Sequence, residues 1–133
     1  CLVHTDLALC NTLGTEREIV GVIDWDDCIA GDPLDDLSLL GCFFGGEVLA
    51  PAFRGYAGVR PLPDDYRRRF WLHLLRNMLV KAVIRVGAGY FSLTDSLFLI
   101  GAGGSGAELR NFTLNRLSAA LRGLNDDLNP IDL

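Results

Sequence analysis

The stretch that decides how this chain folds lies near its start and reads His4-Thr5-Asp6-Leu7-Ala8-Leu9-Cys10-Asn11. Phosphoryl transfer to a hydroxyl needs a carboxylate that accepts the hydroxyl proton, and oxygen ligands that hold magnesium on the nucleotide phosphates. An aspartate five positions before an asparagine has the spacing of a kinase catalytic loop. The pattern therefore makes Asp6 a candidate base and Asn11 a candidate metal ligand.

A second acidic position follows a strand that should return to this loop. The β-branched run 19–23 favours a strand, and the glycine and polar residues before it favour a turn. A hairpin of this kind brings Asp24 back beside Asn11, where it would complete a magnesium site. Asp26 and Asp27 could extend that site, receive a cationic substrate or form a solvated turn, and for Asp27 the solvated turn is favoured.

The pattern becomes helical at Asp32. Asp32 is suited to cap a helix by accepting backbone N–H bonds, and Pro33 is suited to its first position, where no donor is needed. Asp35 and Asp36 then lie in the first turn, where negative charge is favourable. A leucine stripe gives this helix a buried face, and residues 45–46, both glycine, should end it.

Two longer helices follow. Apolar residues at three- and four-residue steps predict a helix over residues 65–86, with Lys81 and Arg85 off its buried face. Ser105 and Glu108 form a capping box for the last helix, and Thr94 should cap a short one. Residues 47–63, rich in proline and glycine, give no clear pattern. The residues predicted to face inward are Trp71, Leu74, Leu75, Met78, Leu79, Ala82, Val83 and Val86, then Leu114, Leu117, Leu121 and Leu124.

These elements predict an α+β fold that is mostly α-helical. Residues 1–31 would form a catalytic loop and a metal-binding β-hairpin, and residues 32–133 a helical subdomain on which the hairpin packs. With 133 residues the chain is about one domain long. Half of it is apolar, which excludes a disordered tail.

The charge of the chain limits its possible partners, and its cysteine pattern bears on its redox environment. Twelve basic against seventeen acidic residues give a net charge of −5, which argues against nucleic-acid and anionic-membrane partners and suits a metal or a cationic ligand. Charges interrupt the longest apolar run, so no membrane span is expected. The four cysteines form no Cys-x-x-Cys pair, which favours free thiols and a cytoplasmic location.

Taken in order, three motifs resemble a known family. They are His4-x-Asp6-x-x-x-x-Asn11, then Ile23-Asp24-Trp25-Asp26-Asp27, then Gly31-Asp32-Pro33-Leu34-Asp35-Asp36-Leu37. This order is similar to that of the aminoglycoside phosphotransferase family, which also embraces choline, homoserine and macrolide kinases. The resemblance covers residues 1–40 and implies the C-terminal lobe of a protein-kinase-like fold.

The resemblance implies a role for each matched residue. Asp6 would be the catalytic base, and Asn11 and Asp24 would hold Mg²⁺ with ATP as the phosphate donor. His4 would brace the loop, and Asp36 would tie the following helix to it. The acceptor would be a hydroxyl of a small molecule, such as an aminoglycoside or another amino or sugar alcohol, and the acidic balance favours a cationic one.

Two positions depart from the family pattern. Thr5 stands where the family usually has glycine, and residues 7–10, Leu-Ala-Leu-Cys, stand where it commonly has a stretch with His-Pro-Gly. Glycine permits backbone conformations that Thr5 and Cys10 resist, which bears on the geometry of the loop. Neither change removes a catalytic group.

The chain opens at Cys1 within an apolar strand, which predicts a fragment without the nucleotide-binding lobe of such enzymes. That lobe supplies the phosphate-covering loop and the phosphate-binding lysine, so the segment alone is expected to be inactive. A truncated or non-catalytic kinase-like binding module is the alternative. A metal-dependent hydrolase using Asp24 and Asp26 is weaker, because it leaves Asn11 and the helix after Asp32 unexplained.

Overall fold

The computed structural model describes residues 1–94 and 104–133. Over those residues the chain is mostly helical with small antiparallel sheets, as the sequence predicts. The strands are β1 (Leu2–Val3), β2 (Thr12–Gly14), β3 (Ile19–Val22) and β4 (Ile29–Ala30). The helices are α1 (Leu34–Gly41), α2 (Gly46–Val59), α3 (Tyr66–Gly87) and α4 (Gly106–Asp126), with short 3₁₀ turns at Leu9–Asn11, Tyr90–Ser92 and Pro130–Asp132.

The strands form two separate two-stranded antiparallel sheets. β2 pairs with β3 as the predicted hairpin, with Thr12 opposite Val22. β1 pairs with β4, with Val3 opposite Ile29, a pairing that the sequence did not predict. This second sheet brings two loops together. The loop of residues 4–11 follows β1 directly, and the turn of residues 24–28 leads directly into β4, the strand that pairs with β1.

The hairpin does not pack on the helices in the way the sequence suggests. No residue from Leu13 to Val20 is buried, and Ile19 and Val20 are 66% and 70% exposed. The buried residues of this region are Val3 and His4, at the start of the candidate catalytic loop, and Asn11, at its end. The loop is therefore anchored, whereas the hairpin projects from the body.

The core lies among the helices, where α1 and α4 pack against α3 and α2 packs against α1. Asp32 Oδ1 accepts a bond from the Leu34 backbone N–H at 3.0 Å as expected, but the helix begins one residue later than predicted, with Pro33 at the N-cap position. The helix ends at Gly41 and not at residues 45–46, because Gly46 opens α2. The fully buried core side chains are Leu34, Cys42, Leu49, Phe70, Leu74, Met78 and Ala120.

Residues 46–59 form a helix where the sequence gave no clear pattern. Pro51 lies inside α2, and residues 55 and 58 are glycine, so its intrinsic helix propensity is low. Leu49 and Phe53, four residues apart, are both buried in the core. Tertiary packing of that pair stabilises the helix against its local propensity.

The long helix α3 occupies almost the predicted residues, but its buried face turns along its length. Trp71 and Leu74 are buried as predicted. Arg85, predicted to face outward, is only 4% exposed, and Val83, predicted to face inward, is 73% exposed. The reason is a polar contact with α4, since Arg85 Nη1 donates to Thr113 Oγ1 at 2.7 Å.

The last helix begins as predicted but presents a different face. Ser105 Oγ accepts a bond from the Glu108 backbone N–H at 3.3 Å, which confirms Ser105 as the N-cap, while the Glu108 carboxylate accepts from the Ser105 hydroxyl at 2.9 Å in place of the backbone N–H. Leu114 and Leu121 are half exposed, and the buried positions are Leu109, Thr113, Ala120 and Gly123. Gly123 explains the shift, because a Cβ there would overlap the Trp71 indole. Only small residues allow the two helices to approach so closely.

Three further predictions concern the segment after Thr94, the cysteines and membrane-spanning helices. The short helix after Thr94 and the glycine-rich segment following it fall in residues 95–103, outside the described residues. The four cysteines are free thiols, with Cys42 buried and the other three exposed. In the part of the chain that the structure describes, no helix combines the length and the apolar character needed to cross a bilayer.

Candidate active site

The candidate catalytic loop is held by the first turn of α1. Asp36 accepts backbone N–H bonds from two successive loop residues: His4 donates to Oδ2 at 2.8 Å and Thr5 donates to Oδ1 at 2.9 Å. Hydrogen bonds to an ionised carboxylate are stronger than those between neutral groups. The backbone of the loop is therefore fixed directly before Asp6.

The His4 ring lies between the two segments that carry acidic residues. Its Nδ1 accepts the Asp6 backbone N–H at 3.3 Å, and its Nε2 is 2.8 Å from the Ile23 carbonyl oxygen. Because a carbonyl oxygen only accepts, Nε2 carries the proton, and Nδ1 is left free to accept. The ring is 2% exposed and joins the loop to the end of β3 as a neutral imidazole.

Trp25 covers this imidazole from outside the helical core. Its ring centroid is 4.7 Å from that of His4, and its Nε1 donates to the Val22 carbonyl at 2.8 Å. The side chain is 42% exposed. It lies over the site and away from the helical core, because the bond to Val22 holds it at the end of β3.

Asp6 and Asn11 are in direct contact. Asn11 Nδ2 donates to the Asp6 carboxylate at 3.0 Å and to the Asp6 carbonyl at 2.9 Å. Asn11 is buried and Asp6 is exposed, so the amide supports a carboxylate that opens to solvent. Both bonds use the amide nitrogen, which makes the oxygen Oδ1 the atom that could ligate a cation.

Asp24 follows β3 at the same end of the hairpin. The Ile23 backbone N–H donates to the Asn11 carbonyl at 3.0 Å, which brings the residue before Asp24 against Asn11. Asp24 has φ 65°, the left-handed conformation that aspartate tolerates better than most residues. The structure thus joins Asp6 to Asn11 directly and places the backbone of Asp24 one residue from the Asn11 contact.

The residues fit magnesium as a partly protein-bound ion. Across residues 1–94 and 104–133, no group of three or more His, Cys, Asp or Glu side chains is placed to hold a metal. Magnesium in phosphoryl transfer does not need such a cage, since one or two protein ligands are completed by substrate phosphates and water. The Asn11 amide oxygen and the Asp24 carboxylate are hard oxygen donors of the required kind.

Thr5 has an unusual backbone. Its φ is 67°, a region in which a β-branched residue is a genuine outlier and which costs on the order of 1–3 kcal/mol. Its hydroxyl donates to the Asp27 carbonyl at 2.9 Å. The loop thus keeps a glycine-type conformation with threonine in place of glycine, while the side chains of Asp26 and Asp27 are exposed.

Sequence reasoning missed a polar network beneath α1. The buried Asp35 accepts bonds from Arg76 Nη2, 2.6 Å from each carboxylate oxygen, and from Asn77 Nδ2 at 3.0 Å. His73 Nδ1 lies 3.7 Å from the same carboxylate. The signal was present, since positions 73, 76 and 77 are polar at helical spacing on an otherwise apolar face of α3. The network fixes the residue next to Asp36, and with it the support of the loop.

A comparison with family models identifies the family of the chain. The model described as the phosphotransferase enzyme family, to which the aminoglycoside phosphotransferases belong, matches residues 1–72. The chain belongs to this family. The matched range contains the loop, the hairpin, α1, α2 and the start of α3, and so extends past residue 40. No curated protein and no solved structure matches the chain.

Proposed function

We propose that this chain carries the catalytic and metal-binding residues of an ATP-dependent phosphotransferase that phosphorylates a hydroxyl of a small molecule, within the C-terminal lobe of a protein-kinase-like fold. The observation that carries the proposal is the Asn11 Nδ2 bond to the Asp6 carboxylate at 3.0 Å. It joins the proposed base to a proposed metal ligand. Membership of the phosphotransferase family supports the same chemistry.

In this mechanism Asp6 orients the acceptor hydroxyl and takes its proton as the oxygen attacks the terminal phosphate. Asn11 holds the carboxylate in place, and His4 holds the Asp6 backbone through Nδ1. Asn11 Oδ1 and Asp24 would hold Mg²⁺, which neutralises charge on the phosphates when bound. Positioning and electrostatics supply most of the catalysis in this class of reaction.

The acceptor that suits this surface best is a cationic alcohol, such as an aminoglycoside or a choline-like amine. Asp26 and Asp27 are exposed next to Asp24, and the chain has a net charge of −5. Acidic side chains around a site raise the local concentration of a cationic ligand and help to orient it.

The proposal places the nucleotide-binding lobe against the hairpin. Leu13, Ile19 and Val20 expose about half or more of their side chains there, beside the proposed metal ligands. Exposed large apolar side chains on one element can form part of an interaction site. The same surface would equally suit a partner of a non-catalytic binding module, which is the second candidate function.

Replacing Asp6 separates the two candidates. In the complete polypeptide, Asp6→Asn should lower kcat by a factor on the order of 10² or more, with the nucleotide Kd nearly unchanged. Turnover of ATP would be measured with an aminoglycoside, choline and homoserine as acceptors. Asp64→Asn, at an exposed aspartate before α3, is the matched control and should keep full activity. Near-normal turnover of Asp6→Asn would remove Asp6 from the mechanism.

A further inference from the structure

Thr5 combines two features that seldom occur together. It precedes the proposed base Asp6, and it holds a left-handed backbone, φ 67°, that its branched side chain disfavours. Strained residues persist only where their surroundings over-determine them, and such strain clusters at functional sites. The contacts of Thr5 therefore identify what its side chain contributes.

Both hydrogen-bond donors of Thr5 leave the loop and reach different elements. Its backbone N–H donates to Asp36 Oδ1 at 2.9 Å, across 31 residues of sequence. Its hydroxyl donates to the Asp27 carbonyl at 2.9 Å, across 22 residues. Thr5 thus ties the catalytic loop to α1 on one side and to the turn after Asp24 on the other.

The turn whose carbonyl accepts the Thr5 hydroxyl has few other contacts to hold it in place. Its residues 24–28 are exposed, and Asp24 has the second left-handed backbone of the site, φ 65°. Within the turn, the Cys28 backbone N–H donates to the Trp25 carbonyl at 3.1 Å. The bond from Thr5 ends on Asp27, between those two partners, and so adds a restraint from outside the turn.

We propose that Thr5 is a positioning residue whose hydroxyl fixes the Asp24 turn against the catalytic loop, and so sets the spacing between the base Asp6 and the metal ligand Asp24. The inference rests on the proposed function for the roles of those two aspartates. Glycine at this position would adopt the same backbone without strain, but it would provide no tether. The strain is thus accompanied by a bond that only a hydroxyl can make.

Three substitutions separate the hydroxyl from the backbone strain. Thr5→Val keeps the branched shape and removes the hydroxyl, Thr5→Gly removes both the hydroxyl and the strain, and Thr5→Ser keeps the hydroxyl. Thr12→Val is the matched control, because the Thr12 hydroxyl also donates to a backbone carbonyl, that of Leu9 at 2.7 Å. That bond stays within one loop and reaches no second element.

Amide hydrogen exchange of Cys28 in the full chain tests whether the Thr5 hydroxyl bond to Asp27 restrains the turn. Thr5→Val and Thr5→Gly should raise its exchange rate about fivefold, the effect of losing one ordinary hydrogen bond, whereas Thr5→Ser and Thr12→Val should leave it near the wild-type rate. Because Thr5→Gly relieves strain, it keeps the test valid if the valine variant folds poorly. A Cys28 rate that does not separate the hydroxyl-bearing variants from the others would overturn the tether.

Binding of Mn²⁺ to the complete polypeptide in the presence of ATP, followed by water-proton relaxation, measures the consequence for the metal ligand. Weaker Mn²⁺ binding in Thr5→Val and Thr5→Gly than in Thr5→Ser and Thr12→Val would support the positioning role. If the wild-type chain binds Mn²⁺ and all four variants bind it equally, the positioning role fails and the proposed metal site stands. If the wild-type chain binds no Mn²⁺ while Asp24→Ala behaves identically, the proposed metal site fails, and the positioning role fails with it.

Discussion

The two regions of this molecule are held together by different forces. Residues 32–94 and 104–133 bury large apolar side chains among α1, α2, α3 and α4, with Phe70 and Leu74 fully buried. Residues 1–31 bury little beyond Val3, His4 and Asn11, and are held by hydrogen bonds between side chains and backbone. Burial of apolar area dominates the stability of a domain, whereas directed polar bonds determine where individual atoms lie. The helices therefore provide the stability, and the loops provide the geometry of the site.

The two regions meet at a small number of polar contacts. Asp36 belongs to a core helix and grips the loop through two backbone N–H groups. Asp35, beside it, is held in turn by Arg76 and Asn77 of α3. Core and site can therefore be damaged separately, and the contact between them can be damaged by itself.

The largest expected effect is in the helical core. Leu74→Ala should lower the free energy of unfolding by about 2–5 kcal/mol, because it opens a cavity at a fully buried position. Leu72→Ala, two positions along the same helix but mostly exposed, should cost less than about 0.5 kcal/mol. Urea unfolding of both variants gives the comparison. Equal losses would contradict the account of where the core lies.

The buried thiol of Cys42 gives the core a dependence on pH. Burial raises the pKa of Cys42 from 9.0 to about 11, although the positive charges of Lys81 and Arg85 act to lower it. As the pH rises, the Cys42 thiol therefore ionises in the unfolded chain before it does so in the folded one. The stability that the neutral thiol contributes is complete below pH 9 and is lost as the pH rises to 11. The loss amounts to about 3 kcal/mol.

Comparison with Cys42→Ala isolates this effect from the other groups that titrate in the same range. Unfolding free energies measured between pH 8 and 11 should fall more steeply in the wild-type chain than in the variant. Parallel curves for the two proteins would mean that the Cys42 thiol is ionised as readily in the folded chain as in the unfolded one.

Breaking the contact between the regions should have a smaller and more local effect. Asp36→Ala should cost about 2 kcal/mol, since it removes two hydrogen bonds to a charged group, and it should speed amide exchange at His4 and Thr5. Asp65→Ala, which removes an exposed ion pair with Arg69 at 2.8 Å, is the control and should cost below about 1 kcal/mol. Unchanged exchange at His4 and Thr5 would show that Asp36 does not hold the loop.

Local sequence signals predicted the elements whose causes are local. The N-cap at Ser105, the bond from the Leu34 N–H to Asp32 and the hairpin return all depend on neighbours in sequence, and the structure has each of them. Helix α2 was missed because Leu49 and Phe53 are stabilised by a core that the propensity of the segment does not reveal.

The inner faces of α3 and α4 were assigned incorrectly because they depend on particular tertiary partners. Arg85 is buried against Thr113, and Gly123 against the Trp71 ring. Neither pair can be read from a periodicity that favours large apolar residues. Hydrophobic patterning predicts that a helix is buried, but it does not predict which small or charged residue lies at the closest approach.

In the candidate site, too, the contact between near neighbours in sequence was predicted and the long-range contacts were not. The spacing of Asp6 and Asn11 identified two side chains that the structure places 3.0 Å apart, since a short loop leaves few other arrangements. The bond from Thr5 to Asp27 and the one from Arg76 to Asp35 span 22 and 41 residues. Contacts of that length depend on the complete fold, so a local pattern of polar residues does not identify the partner of Thr5 or of Arg76.

The most direct test of the central claim, that Asp6, Asn11 and Asp24 form one metal-dependent phosphotransfer site, is titration calorimetry of nucleotide binding to the complete polypeptide with and without magnesium. Asp24→Ala and Asn11→Ala should weaken binding strongly when magnesium is present and leave metal-free binding nearly unchanged, while Asp64→Ala changes neither. Equal losses in both conditions would contradict the account, because they would assign Asp24 and Asn11 to folding and not to a metal.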